Sequence, residues 1–272
     1  MNGPLPTVEQ TARLADCISV LRNAISPVAV SVGEAIGSIK CSPDGGAVGQ
    51  QLGPAKGDWR NARTAVVLPG SFNPLHVAHM LLLVEASRAV PRDPGSPDPV
   101  AALSLSVHTI DKAQPSGMAL SDRAWTMHAS VEAAGGTTVA LLASHGLYLD
   151  QAIALHAAMP SLEPGGLWFA IGHDKAVQIF DARYYDDRDD ALEALFRRAG
   201  LLVAPRAGGT AHDLRALTQR PENQRFADRV RPIAFPAAVA DLSSSAVRAG
   251  QAGERVLPAP VAAMIAARRC YD

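Results

Sequence analysis

Leu14, Cys17, Ile18, Leu21 and Ile25 recur at helical spacing and predict a helix over residues 8–24. Residues 42–60 break that pattern with five glycines, Pro43 and Pro54, the mark of a flexible linker. A boundary near residue 60 therefore separates an N-terminal helical extension with a Gly-rich linker, 1–60, from the main domain, 61–272. Beyond it, apolar strands and helical stretches alternate. Thr64 to Leu68 is β-branched and apolar, and Pro69-Gly70 stops it. His76 to Val90 is apolar nearly all round, which predicts a buried helix. Four prolines across residues 91–99 predict a loop.

A second strand is expected over Ala102–Ile110, then a helix from Asp122 to about Ala134 capped by Ser121. A third strand follows over Thr137–Ala143, a helix over Asp150–Met159, and a fourth strand over Leu167–Ile171 ending at Gly172. The next helix carries Asp186, Asp187, Asp189 and Asp190 at its start, with Arg197 and Arg198 at its end. That order complements the helix dipole, and Gly200 is expected to cap it. Leu201–Ala204 reads as a fifth strand and Ile233–Phe235 as a sixth, with two short helices closing the chain. This alternation predicts an α/β fold, a Rossmann-like parallel sheet with helices on both faces, with its ligand beyond the carboxyl ends of the strands.

Net charge is -1 with no block of like charge, which argues against a nucleic-acid partner held by a basic surface and leaves room for a small-anion pocket. Cys17, Cys41 and Cys270 lie far apart without a C-x-x-C pair, arguing against a disulfide framework or a zinc site. No stretch reaches the ~20 apolar residues of a membrane span, and no secretory leader is evident. The expectation is a cytoplasmic protein with no membrane partner; whether it forms a homo-oligomer stays open.

The candidate chemistry gathers after predicted strands. At Gly70-Ser71-Phe72-Asn73-Pro74-Leu75-His76-Val77-Ala78-His79, a glycine permits close backbone approach and two histidines sit three apart at a helix start. That spacing puts both imidazoles on one helical face, beside free backbone N–H groups that favour an anion. An isolated H-x-x-H would more often be a helix cap, and no third ligand lies nearby in sequence to favour a metal. Late in the chain stands Ser243-Ser244-Ser245-Ala246-Val247-Arg248.

The first string resembles the HxGH signature of the nucleotidyltransferase superfamily, and the second resembles its S-S/T-x-x-R signature. Intervening segments are most similar to nicotinamide or nicotinate mononucleotide adenylyltransferases: Asp111-Lys112, Ser121-x-Arg123-x-x-x-Met127, Gly146-x-Tyr148-x-Asp150 and Ile171-Gly172-x-Asp174. Phe180-Asp181-x-Arg183-Tyr184-Tyr185 is similar to a fungal branch carrying a tyrosine pair. The resemblance spans about residues 64–250 and leaves the extension unexplained.

It implies adenylyl transfer from ATP to a mononucleotide, with Mg²⁺ held mainly by phosphates and water, no protein metal ligand, and small-molecule nucleotides as the partners. By the same resemblance His76, His79 and Arg248 would be catalytic. Gly70, Ser71, Phe72, Gly172, Asp174, Ser244 and Ser245 would bind ATP, and Lys112, Arg123 and Tyr185 the mononucleotide. Taken alone, each of these last three has a bland alternative: Lys112 a solvated turn, Arg123 a helix surface residue and Tyr185 an ordinary core or surface aromatic. The chain departs from the pattern at Ala78, where the signature has glycine, and at His173, where a small residue is commoner. Two rivals are a sister transferase moving an adenylyl or cytidylyl group, and a diverged protein that binds or hydrolyses ATP and acts through a partner.

Overall fold

The computed structural model describes residues 5–36, 40–41, 47–48, 59–93, 95–108, 117–135, 137–206 and 208–271. Lys112 and most of the Gly-rich stretch lie outside them. In chain order the elements begin with α1 (Val8–Arg22), β1 (Ala29–Ser31), α2 (Val32–Ile36), β2 (Lys40–Cys41) and β3 (Ala47–Val48). Then come β4 (Ala65–Pro69), α3 (Val77–Ala89), β5 (Val100–Ser106), α4 (Leu120–Ala134), β6 (Val139–Ala143) and α5 (Tyr148–Ala158). The second half holds β7 (Leu167–Gly172), α6 (His173–Phe180), α7 (Arg188–Arg198), β8 (Ala199–Ala204), α8 (Ala211–Thr218) and β9 (Val230–Pro232). Three helices close the chain: α9 (Ala237–Ala240), α10 (Ser244–Arg248) and α11 (Ala259–Arg268).

The main sheet has 7 strands in the order β1-β6-β5-β4-β7-β8-β9, while β2 and β3 pair separately. All neighbours in the main sheet are parallel except β1, which runs antiparallel to β6. The chain winds outward from β4 to β6 on one side and resumes at β7 on the other. Side chains alternate between two cores, as a strand buried on both faces requires. Val66 and Leu68 of β4 join Leu82 and Leu83 of α3, Trp125 of α4 and Met264 of α11 on one face. Ala65 and Val67 point the other way, toward Leu155 of α5, Ile179 of α6, Leu192 of α7 and Leu214 of α8. The fold is thus the α/β sheet with helices on both faces that the alternation predicts.

Several boundaries differ from the sequence reading. The segment before residue 60 is not only helical, because β1 adds an edge strand to the sheet and α1 buries Leu14, Cys17, Ile18 and Leu21 in the first core. Ile25 falls beyond α1 and is 98% exposed. Cys17 is disulfide-bonded, against the expectation from its isolated position, because a disulfide requires closeness in space rather than in sequence. Its partner lies outside the described side chains. Helix α4 starts at Leu120 after Ala119, so Ser121 is not its cap. The last strand lies three residues earlier than read, although the Ile233 N–H still donates to Val203. No described helix is long and apolar enough to cross a membrane.

Gly200 also serves a different end. It lies inside β8, where the chain passes directly from α7, rather than capping the helix. The buried Trp168 indole lies flat across it, and a Cβ there would meet three ring atoms at 2.4–2.8 Å. Arg229 in turn stacks on that ring, 4.7 Å from its centroid. Gly200→Ala must displace a packed aromatic and is expected to cost roughly 1–3 kcal/mol in denaturant unfolding. A variant as stable as the wild type would show that the indole moves freely.

Candidate active site

The strand order reverses between β4 and β7, which are adjacent though not consecutive in the chain. Such a switch point opens a crevice at the carboxyl ends of the two strands. Residues 70–76 leave β4 there and Gly172-His173-Asp174 leaves β7. The first loop is tightly built. The Gly70 N–H donates to the Ser104 carbonyl at the end of β5 (3.0 Å). Phe72 takes a left-handed backbone conformation (φ 43°), and its buried ring folds back so that a Cβ on Gly70 would lie 2.8 Å from it.

Asn73 is the anchor of this loop. Its buried Oδ1 accepts from the Met118 N–H (3.2 Å) and the Tyr271 hydroxyl (2.8 Å), tying the loop to the start of α4 and the end of the chain. Asn73→Leu would leave both donors without that acceptor. A loss of ~1–3 kcal/mol per donor is expected in thermal or denaturant unfolding. Equal stability would mean that water replaces the side chain.

His76 precedes α3 and His79 lies in its first turn; their rings stack with centroids 3.7 Å apart at 26°. The His76 backbone N–H donates to His79 Nδ1 (3.2 Å), which places the proton of a neutral His79 ring on Nε2. Phe72 meets the His79 ring edge-on at 5.3 Å. His76 is buried and neither ring nitrogen has a hydrogen-bond partner among the described residues. Burial, and secondarily the Arg206 charge, lower its pKa from 6.5 to about 4. Burial, then His76, then Arg206 hold His79 well below 6.5. Near neutral pH both rings are therefore uncharged donors. They can bond an anion without neutralising it.

The late motif docks directly on this loop. Ser243 caps α10 by accepting from the Ala246 N–H (3.1 Å). Ser244, 170 residues after Pro74, donates its hydroxyl to the Pro74 carbonyl (2.9 Å). Arg248 donates through Nη1 to the Asn73 carbonyl (2.5 Å) and through Nη2 to Ser245 Oγ (3.0 Å). Arg123, buried in α4, donates from Nη1 to the Ser71 carbonyl (3.0 Å), so it is a brace rather than a surface residue. Its burial lowers its pKa.

Across the crevice, Asp174 Oδ1 is buried without a hydrogen-bond partner among the described residues. A Cβ on Gly172 would lie 2.6 Å from that oxygen and 2.9 Å from Arg206 Cδ, so glycine leaves room for both side chains. Tyr148 has its hydroxyl pKa raised by burial first, then by the negative charges of Asp174 and Tyr185. Tyr185 stands apart: its hydroxyl donates to the Ile179 carbonyl (2.8 Å), its ring packs at the edge of the second core, and burial pushes its pKa up to about 12.

The structure thus brings together Gly70, Ser71, Phe72, His76, His79, Ser244, Ser245, Arg248 and the bracing Arg123, with Gly172 and Asp174 at the facing strand end. It does not bring Tyr185 into direct contact with the histidine loop, and Lys112 lies outside the described residues. Tyr271 and Arg206 are absent from the sequence reading, which names Asn73 in the early string but gives it no role. The only local signal for Arg206 is a basic residue two positions past β8. A cavity of about 630 Å³ lies between α6 and α8 and shares His173 with the crevice but neither paired histidine. Its walls mix Arg188 and Arg220 with Asp181, Asp213 and Glu222, which favours no single ligand charge. Among the described residues, no group of three or more His, Cys, Asp or Glu could hold a metal ion.

No protein-family model and no curated protein matches the sequence. In three dimensions the chain is similar to the Plasmodium falciparum nicotinic acid mononucleotide adenylyltransferase solved in complex with APC. The match has a TM-score of 0.50 at 14% identity and covers 77% of this chain and 98% of that one. At this identity the likeness establishes a shared α/β fold.

Proposed function

We propose that this protein transfers the adenylyl group of ATP to a mononucleotide, either nicotinamide or nicotinate mononucleotide, releasing pyrophosphate. One observation carries the reading: Ser244 and Arg248 of the late motif bond Pro74 and Asn73 of the early one, beside a neutral histidine pair at the switch point. The name of the structural neighbour supports the choice of acceptor.

A 5′-phosphate oxygen of the acceptor forms a bond to the α-phosphorus of ATP as the bond from that phosphorus to the bridging oxygen breaks. The electron pair leaves with pyrophosphate. A phosphate monoester has a second pKa near ~6 and is already ionised at pH 7, so no side chain has to remove a proton. Catalysis rests on orientation and on donors aimed at developing charge. His79 presents Nε2–H and His76 a ring N–H to the phosphates, while Ser244 and Ser245 bind phosphate from the start of α10. Gly172 makes room for Asp174, whose Oδ1 has no donor among the described residues and accepts from ribose hydroxyls. Lys112, Arg123 and Tyr185 are assigned to the mononucleotide, with Arg123 acting through Ser71. Mg²⁺ would travel on the phosphates with its water. The ion supplies charge neutralisation when bound.

The test supplies purified protein with ATP, Mg²⁺ and either nicotinamide or nicotinate mononucleotide, and resolves the products. Pyrophosphate with NAD or its deamido form establishes the reading, and the faster acceptor names the substrate. ADP without a dinucleotide would point to an ATP-hydrolysing protein. Intact ATP with these acceptors, and turnover with phosphopantetheine or CTP, would point to a sister transferase.

A further inference from the structure

Three arginines surround the early loop, and two are already committed. Arg248 donates to the Asn73 carbonyl and to Ser245, and Arg123 donates to the Ser71 carbonyl. Arg206 is different. It follows β8, the neighbour of β7, and its main chain is fixed by a bridge to Gly209 and a 3.0 Å bond from the Gly209 N–H. Its stem lies against Gly172, where a Cβ would approach Cδ to 2.9 Å and Cβ to 3.4 Å. From there its charge reaches both stacked histidines. Among the described residues its guanidinium has neither an ion pair nor a hydrogen bond.

The chemistry of the pair explains why an unpaired cation is needed there. Two neutral imidazoles donate hydrogen bonds but carry no charge to offset a polyphosphate. An arginine fork supplies both charge and several donors in a fixed plane.

We infer that Arg206 is the cation that binds the polyphosphate of the nucleotide beside His76 and His79, and that Arg248 chiefly holds the loop in place. The inference rests on the nucleotide reading above and adds to it a residue that the motif resemblance does not supply.

Calorimetric titration of ATP, and separately of inorganic tripolyphosphate, into wild type, Arg206→Gln and Arg206→Lys at pH 7.5 tests it. Loss of one charge-assisted contact predicts roughly 10- to 100-fold weaker binding of both ligands by Arg206→Gln. Arg206→Lys, which keeps the charge without the fork, should recover a large part. Both variants should melt close to the wild-type temperature, since Arg206 bonds nothing that holds the fold together. A purely structural role would not discriminate between glutamine and lysine in anion affinity. Wild-type affinity in Arg206→Gln, or a lysine variant as weak as the glutamine one, overturns the inference and leaves the nucleotide reading intact. A wild-type protein that binds neither ligand overturns both.

Discussion

His79→Ala is expected to slow adenylyl transfer by about 100-fold or more. His79 accepts the His76 N–H through Nδ1, so the tautomer that keeps Nε2–H free as a donor is selected by the backbone. The ring is further oriented by its stack on His76 and by the edge of Phe72. A donor held this rigidly gains nothing extra from reorganisation during the reaction, and removing one such donor typically costs ~3 kcal/mol in the transition state. His79→Gln keeps a donor but loses the stack and should fall between the two. Steady-state kinetics with saturating ATP checks the series. Unchanged turnover in His79→Ala would remove the histidine pair from the mechanism.

The second large effect is on stability. An imidazole in the unfolded chain titrates near 6.5, whereas folded His76 titrates at about 4. Between those values the unfolded chain binds more protons than the folded one. Stability is therefore complete above pH ~6.5 and falls as the pH drops toward 4, by ~3 kcal/mol for His76 alone at ~1.4 kcal/mol per pH unit. His79 adds in the same direction, because burial and its neighbour hold it below 6.5 as well. Unfolding by urea at pH 7 and pH 4.5, in wild type and in His76→Gln, separates this contribution from that of the carboxylates. The variant should lose distinctly less stability on acidification, and parallel losses would contradict the buried neutral ring.

Those two residues were legible in the sequence because their signal is local: a glycine-bounded turn after a strand, then H-x-x-H at a helix start. The strand-helix alternation was legible for the same reason, since each buried strand carries its own apolar run. What escaped depends on contacts between distant segments. Arg206, Asn73 and Tyr271 acquire meaning only when the ends of β4 and β8 and the C-terminus converge. β1 has three residues and gains its identity from pairing with β6. α6 and α8 each have only eight residues and went unread. Gly200 follows two arginines, which imitates a helix cap, yet it is needed for the indole lying across it. Arg248 matched its motif, and its bonds to Asn73 and Ser245 show a bracing geometry that a spacing rule does not contain.

The most direct measurement of the central claim is the fate of the α-phosphate. ATP labelled at that position is incubated with the protein, Mg²⁺ and nicotinamide or nicotinate mononucleotide. The account predicts that the label moves into a dinucleotide, with one pyrophosphate released for each transfer. Label that stays in ATP, or appears in ADP with no dinucleotide, would contradict it.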